Sequence, residues 1–147
     1  IGLEISKSTK VFPMFEGKIV RIDKAYQEMT QDERGKILED EQTSENRKYQ
    51  MHLDKLRGKQ VWIQSENGVL IRYAHLEEVN KDLNIGELVD TETEIGATGN
   101  SGTSNGVLET NDDVHLHTDI VICGKNFWEY GDTREMNTKL IEMFEKE

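Results

Sequence analysis

Polar and apolar positions alternate most regularly over Val114-His115-Leu116-His117-Thr118-Asp119, then give way to Ile120-Val121-Ile122. This is the pattern of a β-strand entering a protein interior. Shorter pieces of the same kind fill residues 1–22. Leu3 and Ile5 alternate around Glu4, Val11-Phe12-Pro13-Met14-Phe15 follows, and Glu16-Gly17 turns the chain into Lys18-Ile19-Val20-Arg21-Ile22. Pro13 cannot donate to a ladder and is expected at an edge or a bulge. Lys59–Gln64 and Val69–Ala74 flank Glu66-Asn67-Gly68, a strong hairpin signal because both Asn and Gly tolerate positive φ. A two-residue Asn67-Gly68 turn would pair Glu66 with Val69 and Trp62 with Tyr73. Ile85–Val89 and Thr93–Gly102 are short apolar pieces broken by glycine, suited to the corners of a small β-domain.

The period changes between Asp23 and Arg57, where Glu, Lys, Gln and Asp dominate and β-branched residues are few. Thr30-Gln31-Asp32-Glu33 has capping-box spacing, although Ile37 and Leu38 give that first helix little to bury. A second helix, about Ser44 to Arg57, carries Tyr49, Leu53 and Leu56 on one stripe, with Gly58 as its C′ residue. His52 beside that stripe is expected to be exposed. The segment reads as a solvated helical decoration docked by one stripe, with a lid or specificity insertion as the alternative. Thr103–Asp113 reads as a polar loop, and Phe127-Trp128-Glu129-Tyr130 as an aromatic cluster packed on the sheet. Asp132-Thr133-Arg134-Glu135 then caps a helix with Met136, Leu140, Met143 and Phe144 on one face. The fold expected is mainly β (α+β): one domain over 1–147, a small antiparallel sheet with a helical insertion at about 23–57 and a C-terminal helix at about 132–147.

Composition narrows what such a domain can do. At 147 residues it can bury a real core, modest in size because 35% of residues are hydrophobic and 32% charged. A formal charge of −11 argues against nucleic-acid or anionic-membrane partners, which would repel it. The single cysteine, Cys123, excludes an internal disulfide and a Cys-rich zinc cluster, and its place after Ile120-Val121-Ile122 predicts a buried, inert thiol. No run of about 18 apolar residues is present to span a membrane. The chain opens in mid-pattern without an initiator Met, so any targeting segment is expected upstream.

The candidate chemistry lies on the 114–122 strand. Residues two apart on a strand share a face, so His115 and His117 project together, able to hold a metal or to divide ligand and acid/base roles. His75 sits just past the end of the second hairpin strand, at a sheet margin where functional groups collect. Each histidine alone, and Glu4 alone, has an ordinary structural or surface explanation. Asp112 and Asp113 read as solvated loop residues. The Gly96–Gly102 cluster lacks the spacing and the Lys-Ser/Thr ending of a phosphate loop.

Taken in order, these pieces resemble the lysostaphin-type (LytM-domain) zinc endopeptidases, which cut peptide cross-bridges of bacterial cell walls. Tyr73-Ala74-His75-Leu76 is similar to that family's Tyr-x-His-Leu. Ile85–Val89 followed by Ile95–Gly102 is similar to its Gly-Asp, Ile-Gly and Gly-Asn-Thr-Gly run, and Val114-His115-Leu116-His117 to its Pro-His-Leu-His. Gly2-Leu3-Glu4-Ile5, Val11 and Gly17–Val20 fit the frame of its His-x-Gly-x-Asp motif, with Glu4 at the Asp position and the His position falling immediately before Ile1. The resemblance implies zinc held by His117 and Glu4 with a third ligand outside residues 1–147, so weak or no zinc binding is expected of this stretch alone. It also implies His75 and His115 as general base and electrophilic stabiliser in unassigned order, a peptidoglycan peptide substrate, and an extracytoplasmic location. The alternative is a non-catalytic scaffold of the same fold, or an activator of another wall enzyme, motivated by Glu4 and by the ligand position outside the chain.

Overall fold

A computed structural model describes residues 2–4, 6–41, 46–127, 134 and 138, and of 2–4, 40–41 and 46–50 the backbone alone. The strands are β1 (Gly2–Glu4), β2 (Lys10–Val11), β3 (Gly17–Ile22), β4 (Val61–Gln64), β5 (Leu70–Ala74), β6 (Leu76–Val79), β7 (Leu88–Val89), β8 (Gly96–Thr98), β9 (His115–Ile122) and β10 (Lys125–Asn126). Among the described residues they form two antiparallel sheets. Seven strands run β1-β9-β5-β4-β3-β7, with β10 also paired to β9, and three run β2-β8-β6. Ile19, Ile63, Ile71, Tyr73 and Ile120 of the larger sheet join Val11, Leu76 and Val79 of the smaller one, and Ile95 just before β8, in a single buried cluster, which Phe127 completes.

Alternation explains the outer face. Ile63, Ile71 and Ile120 are register partners on the core side, while Trp62, Arg72 and Asp119 are partners on the other. A bulge between Ile19 and Arg21 keeps Ile19 in the core and still sets Arg21 opposite Trp62. The guanidinium carbons of Arg21 and Arg72 then each lie 4.6 Å from the Trp62 ring. Between β5 and β6 the chain passes from one sheet to the other through a single residue, His75, at φ 57°.

The helical segment holds α1 (Gln31–Glu41) and α2 (Asn46–Leu56). The capping box forms: the Glu33 amide donates to Thr30 Oγ1 at 3.2 Å, and the Thr30 amide to Glu33 Oε2 at 3.4 Å. Ile37 is buried, so α1 does contribute to packing, and His52 is half-buried with Nδ1 out of solvent rather than exposed. Leu53 and Leu56 of the expected stripe are half-buried; the side chain of Tyr49 lies outside the described residues.

Several expectations are corrected. The hairpin loop has three residues rather than two: the Ser65 amide donates to the Val69 carbonyl at 2.8 Å, and Gly68 takes φ 81°. A left-handed third loop residue favours this longer connection, and the register moves so that Trp62 pairs with Arg72, not Tyr73. Cys123 is exposed, not buried. It and Gly124 (φ 51° and 79°) make the tight turn between β9 and β10, which carries the thiol past the end of the apolar run. Pro13 is buried between β2 and β3, outside either ladder. The 103–113 loop contains one helical turn, α3 (Ser104–Val107), capped by Thr103, whose Oγ1 accepts from the Gly106 amide. The 132–147 helix, apart from Arg134 and Thr138, and Trp128-Glu129-Tyr130 lie outside the described residues.

Candidate active site

β9 delivers His115 and His117 to the outer face, two residues apart, and the β5–β6 corner swings His75 against them. The His75 ring centroid lies 4.8 Å from that of His115 and 5.7 Å from that of His117. Left-handed φ is strained for a residue with a Cβ, and here it aims the imidazole at the pair. A close fit of glycines completes the corner. A Cβ on Gly58 would meet the Ser101 carbonyl oxygen at 2.2 Å, and one on Gly102 the Leu56 oxygen at 2.5 Å, so at these two glycines the end of α2 and the 100–102 loop meet backbone to backbone.

Each ring has a defined partner. His75 Nδ1 lies 2.7 Å from the Ser101 carbonyl oxygen, and His115 Nδ1 lies 2.9 Å from that of Asp113. A carbonyl only accepts, so both rings carry the proton on Nδ1 and keep a lone pair on Nε2. His117 is reversed. Its Nε2 lies 2.9 Å from Asp119 Oδ1, so the Nε2 proton is donated and Nδ1 holds the lone pair. Burial, opposed in part by the Ser101 hydrogen bond and aided by His115 and His117, pushes His75 down to about 4. Burial alone would raise the Asp119 carboxyl, but the His117 hydrogen bond and the Arg57 and Arg72 charges outweigh it and hold the group at about 2.

The structure thus brings His75, His115 and His117 together. Glu4 is a backbone partner of His115, and Gly2 of His117, so β1 runs beside the histidine pair; the Glu4 side chain lies outside the described residues. Among the described residues no group of three or more His, Cys, Asp or Glu side chains is placed to hold a metal ion. His117 nonetheless fits a ligand's part, because metal-bound histidines typically donate their second ring N–H to a carboxylate, as His117 does to Asp119. Asp119 and Arg57, whose Nε donates to Asp119 Oδ2 at 3.0 Å, were not singled out by sequence reasoning. The strand period could have found Asp119, two residues past His117; nothing local marks Arg57. Asp113 contributes its carbonyl and sets its carboxylate 3.7 Å from the same His115 nitrogen. An open groove of about 1000 Å³ lies elsewhere, lined by Phe15, Lys18 and Leu88 beside the Gln64–Val69 hairpin tip.

Two sheets with three facing histidines define the class. Residues 1–127 match the model of Peptidase family M23, and the chain belongs to that family. Among solved structures it is similar to LytU, with 20% identity over 82% of this chain and 59% of that one at TM-score 0.51. It is also similar to a zinc containing peptidase from Vibrio cholerae (15% identity, 85% and 27% covered, TM-score 0.53) and to the antimicrobial peptidase lysostaphin from Staphylococcus simulans (19%, 82% and 35%, 0.52). At these identities the likeness is one of fold: the mostly antiparallel lysostaphin/LytM architecture. The chain spans about three-fifths of LytU and smaller shares of the other two. Comparison with curated proteins gives no match.

Proposed function

We propose that the chain is the core of a zinc-dependent endopeptidase hydrolysing peptide cross-links of bacterial peptidoglycan, acting outside the cytoplasm. The observation that carries the reading is the convergence of three imidazoles with complementary tautomers: His117 offers Nδ1, while His75 and His115 offer Nε2. His117 and Glu4 would hold the zinc, with a third ligand at the position preceding Ile1. Bound zinc lowers the pKa of water toward neutrality and polarises a carbonyl.

The remaining work falls to this chain's side chains. His75, kept neutral at working pH by the burial that holds it near 4, can accept a hydrogen bond from the attacking water at Nε2. His115 presents a second Nε2 beside it and, once protonated, can donate to a developing oxyanion. Asp119 keeps His117 from rotating. Membership of a peptidase family and likeness to a zinc containing peptidase support this reading.

The test is zinc titration together with cleavage of cross-linked muropeptide, on protein carrying a histidine before Ile1. Stoichiometric zinc and cleavage are expected; failure of both overturns the proposal. A second reading, a non-catalytic scaffold or activator, is favoured by Glu4, whose extra methylene displaces the carboxylate by more than a metal bond tolerates unless the backbone adjusts. Glu4→Asp separates them. An enzyme tuned to Glu loses activity on the change, and a decayed one gains zinc affinity.

A further inference from the structure

Several polar groups tie the helical segment to the sheet, and they converge just past α2. The Arg57 amide donates to the Leu53 carbonyl at 3.1 Å, fixing the residue to the helix end. Its own carbonyl accepts from the His75 amide at 2.8 Å. Its Nε donates to one oxygen of Asp119 at 3.0 Å, and the other oxygen accepts from His117 Nε2 at 2.9 Å. One residue therefore fastens the backbone of one motif histidine and, through a carboxylate, the ring of another. The Arg57 and Asp119 side chains are only 16% and 19% exposed, so the pair is shielded from competing water. Two further ties steady the helix end. Arg21 donates to Asp54 Oδ2 at 3.0 Å, and Gln60 Nε2 to the Asp54 carbonyl at 3.1 Å. Arg72 does not duplicate the role: it stands 3.9 Å from the same Asp119 oxygen, stacked on Trp62.

We propose that Arg57 is a positioning residue for the histidine centre, orienting Asp119 so that His117 keeps its proton on Nε2 and presents Nδ1. On this account α2 is an arm of the site rather than a decoration. A carboxylate held from one side by a guanidinium has one oxygen left to aim, and that oxygen sets the ring. The geometry stands without zinc; the effect on zinc rests on His117 being a ligand, as proposed above.

The experiment uses the ¹⁵N-labelled chain without metal and reads the His117 tautomer from long-range ¹H–¹⁵N spectra, with urea unfolding as the check on folding. Zinc is then titrated into wild type and variants each carrying a histidine before Ile1, the form in which the proposed ligand set is complete. Wild type is expected to show a single Nε2–H tautomer. In Arg57→Ala the spectrum should become a mixture and the zinc dissociation constant should rise about tenfold or more, the usual effect of losing an outer partner. In Arg57→Lys, where one ammonium replaces the fork, the change should be smaller but present, and this variant decides the matter if Arg57→Ala does not fold. Adding Arg57→Ala to Asp119→Asn should shift the tautomer no further. An unchanged His117 spectrum in both Arg57 variants overturns the proposal, as does full additivity with Asp119→Asn. Wild type that fails to bind zinc overturns the ligand reading, while the metal-free spectra still decide the role of Arg57.

Discussion

His75 concentrates three demands in one residue: left-handed backbone, a half-buried ring and a place facing two other imidazoles. Its proton affinity is where these demands become measurable. In the unfolded chain it titrates at 6.5, in the folded chain at about 4, so folding disfavours the proton. Above pH 6.5 it is neutral in both states and contributes nothing to pH dependence. As pH falls from 6.5 toward 4 the unfolded state gains a proton the native state refuses. Stability therefore drops by up to ~3 kcal/mol and levels off below 4. Urea melts of metal-free protein across that window should show the fall, and His75→Gln should flatten it. An equal slope in the variant would assign the effect to other groups. The Tyr-x-His-Leu pattern marks this histidine in the sequence, but nothing local announces its φ, because the strain is imposed by the change of sheet. The same limit hides Arg57, whose role depends on where a distant helix ends.

Glycines separate two kinds of turn at the level of the element. Gly68, at φ 81°, would carry an added methyl into open space, with nothing within 4 Å, so Gly68→Ala meets only the left-handed penalty of about 1 kcal/mol. Gly58, at φ 70°, would drive a Cβ to 2.2 Å from the Ser101 oxygen. Gly58→Ala should cost more than ~2 kcal/mol and also disturb the carbonyl that holds His75. Equal losses in the two variants, measured by denaturant unfolding, would contradict the close-approach explanation. The hairpin was legible from Asn67-Gly68, its register was not: loop length is decided by which residue turns left-handed, and Asn-Gly satisfies more than one choice. Capping residues fared better because Thr30 and Glu33 act within one turn, where sequence distance and spatial distance agree.

For the whole molecule, the question is what the 23–57 segment does for a sheet that already has a core. Among the described residues its polar ties run through Asp23, Glu28, Arg34, Asp54 and Arg57. Asp23 accepts from the Gln60 amide at 3.0 Å, Glu28 accepts from the Gly102 amide at 3.0 Å, and Arg34 reaches the Gly102 carbonyl at 3.4 Å. Replacing residues 24–53 by a short flexible linker should lower Tm and loosen the 100–107 loop, seen as lost amide protection at Ser101 and Gly102. Retained Tm and protection would return the segment to the status of decoration. The β-architecture and its family were legible because strand period and ordered motifs survive in the chain. The polar ties were not, since hydrophobic stripes are what periodicity detects and these ties pair charged and polar groups far apart in sequence.

Cys123 sits on a tight turn at the far end of β9 from the histidines, exposed to solvent. It lies six positions along the chain from His117, a span of about 20 Å along a strand. A maleimide dye or nitroxide attached there would leave the imidazoles untouched and lie within range of a paramagnetic or fluorescent cation bound beside them. The molecule thus carries, by its own design, one address from which occupancy of its centre can be gauged at a distance.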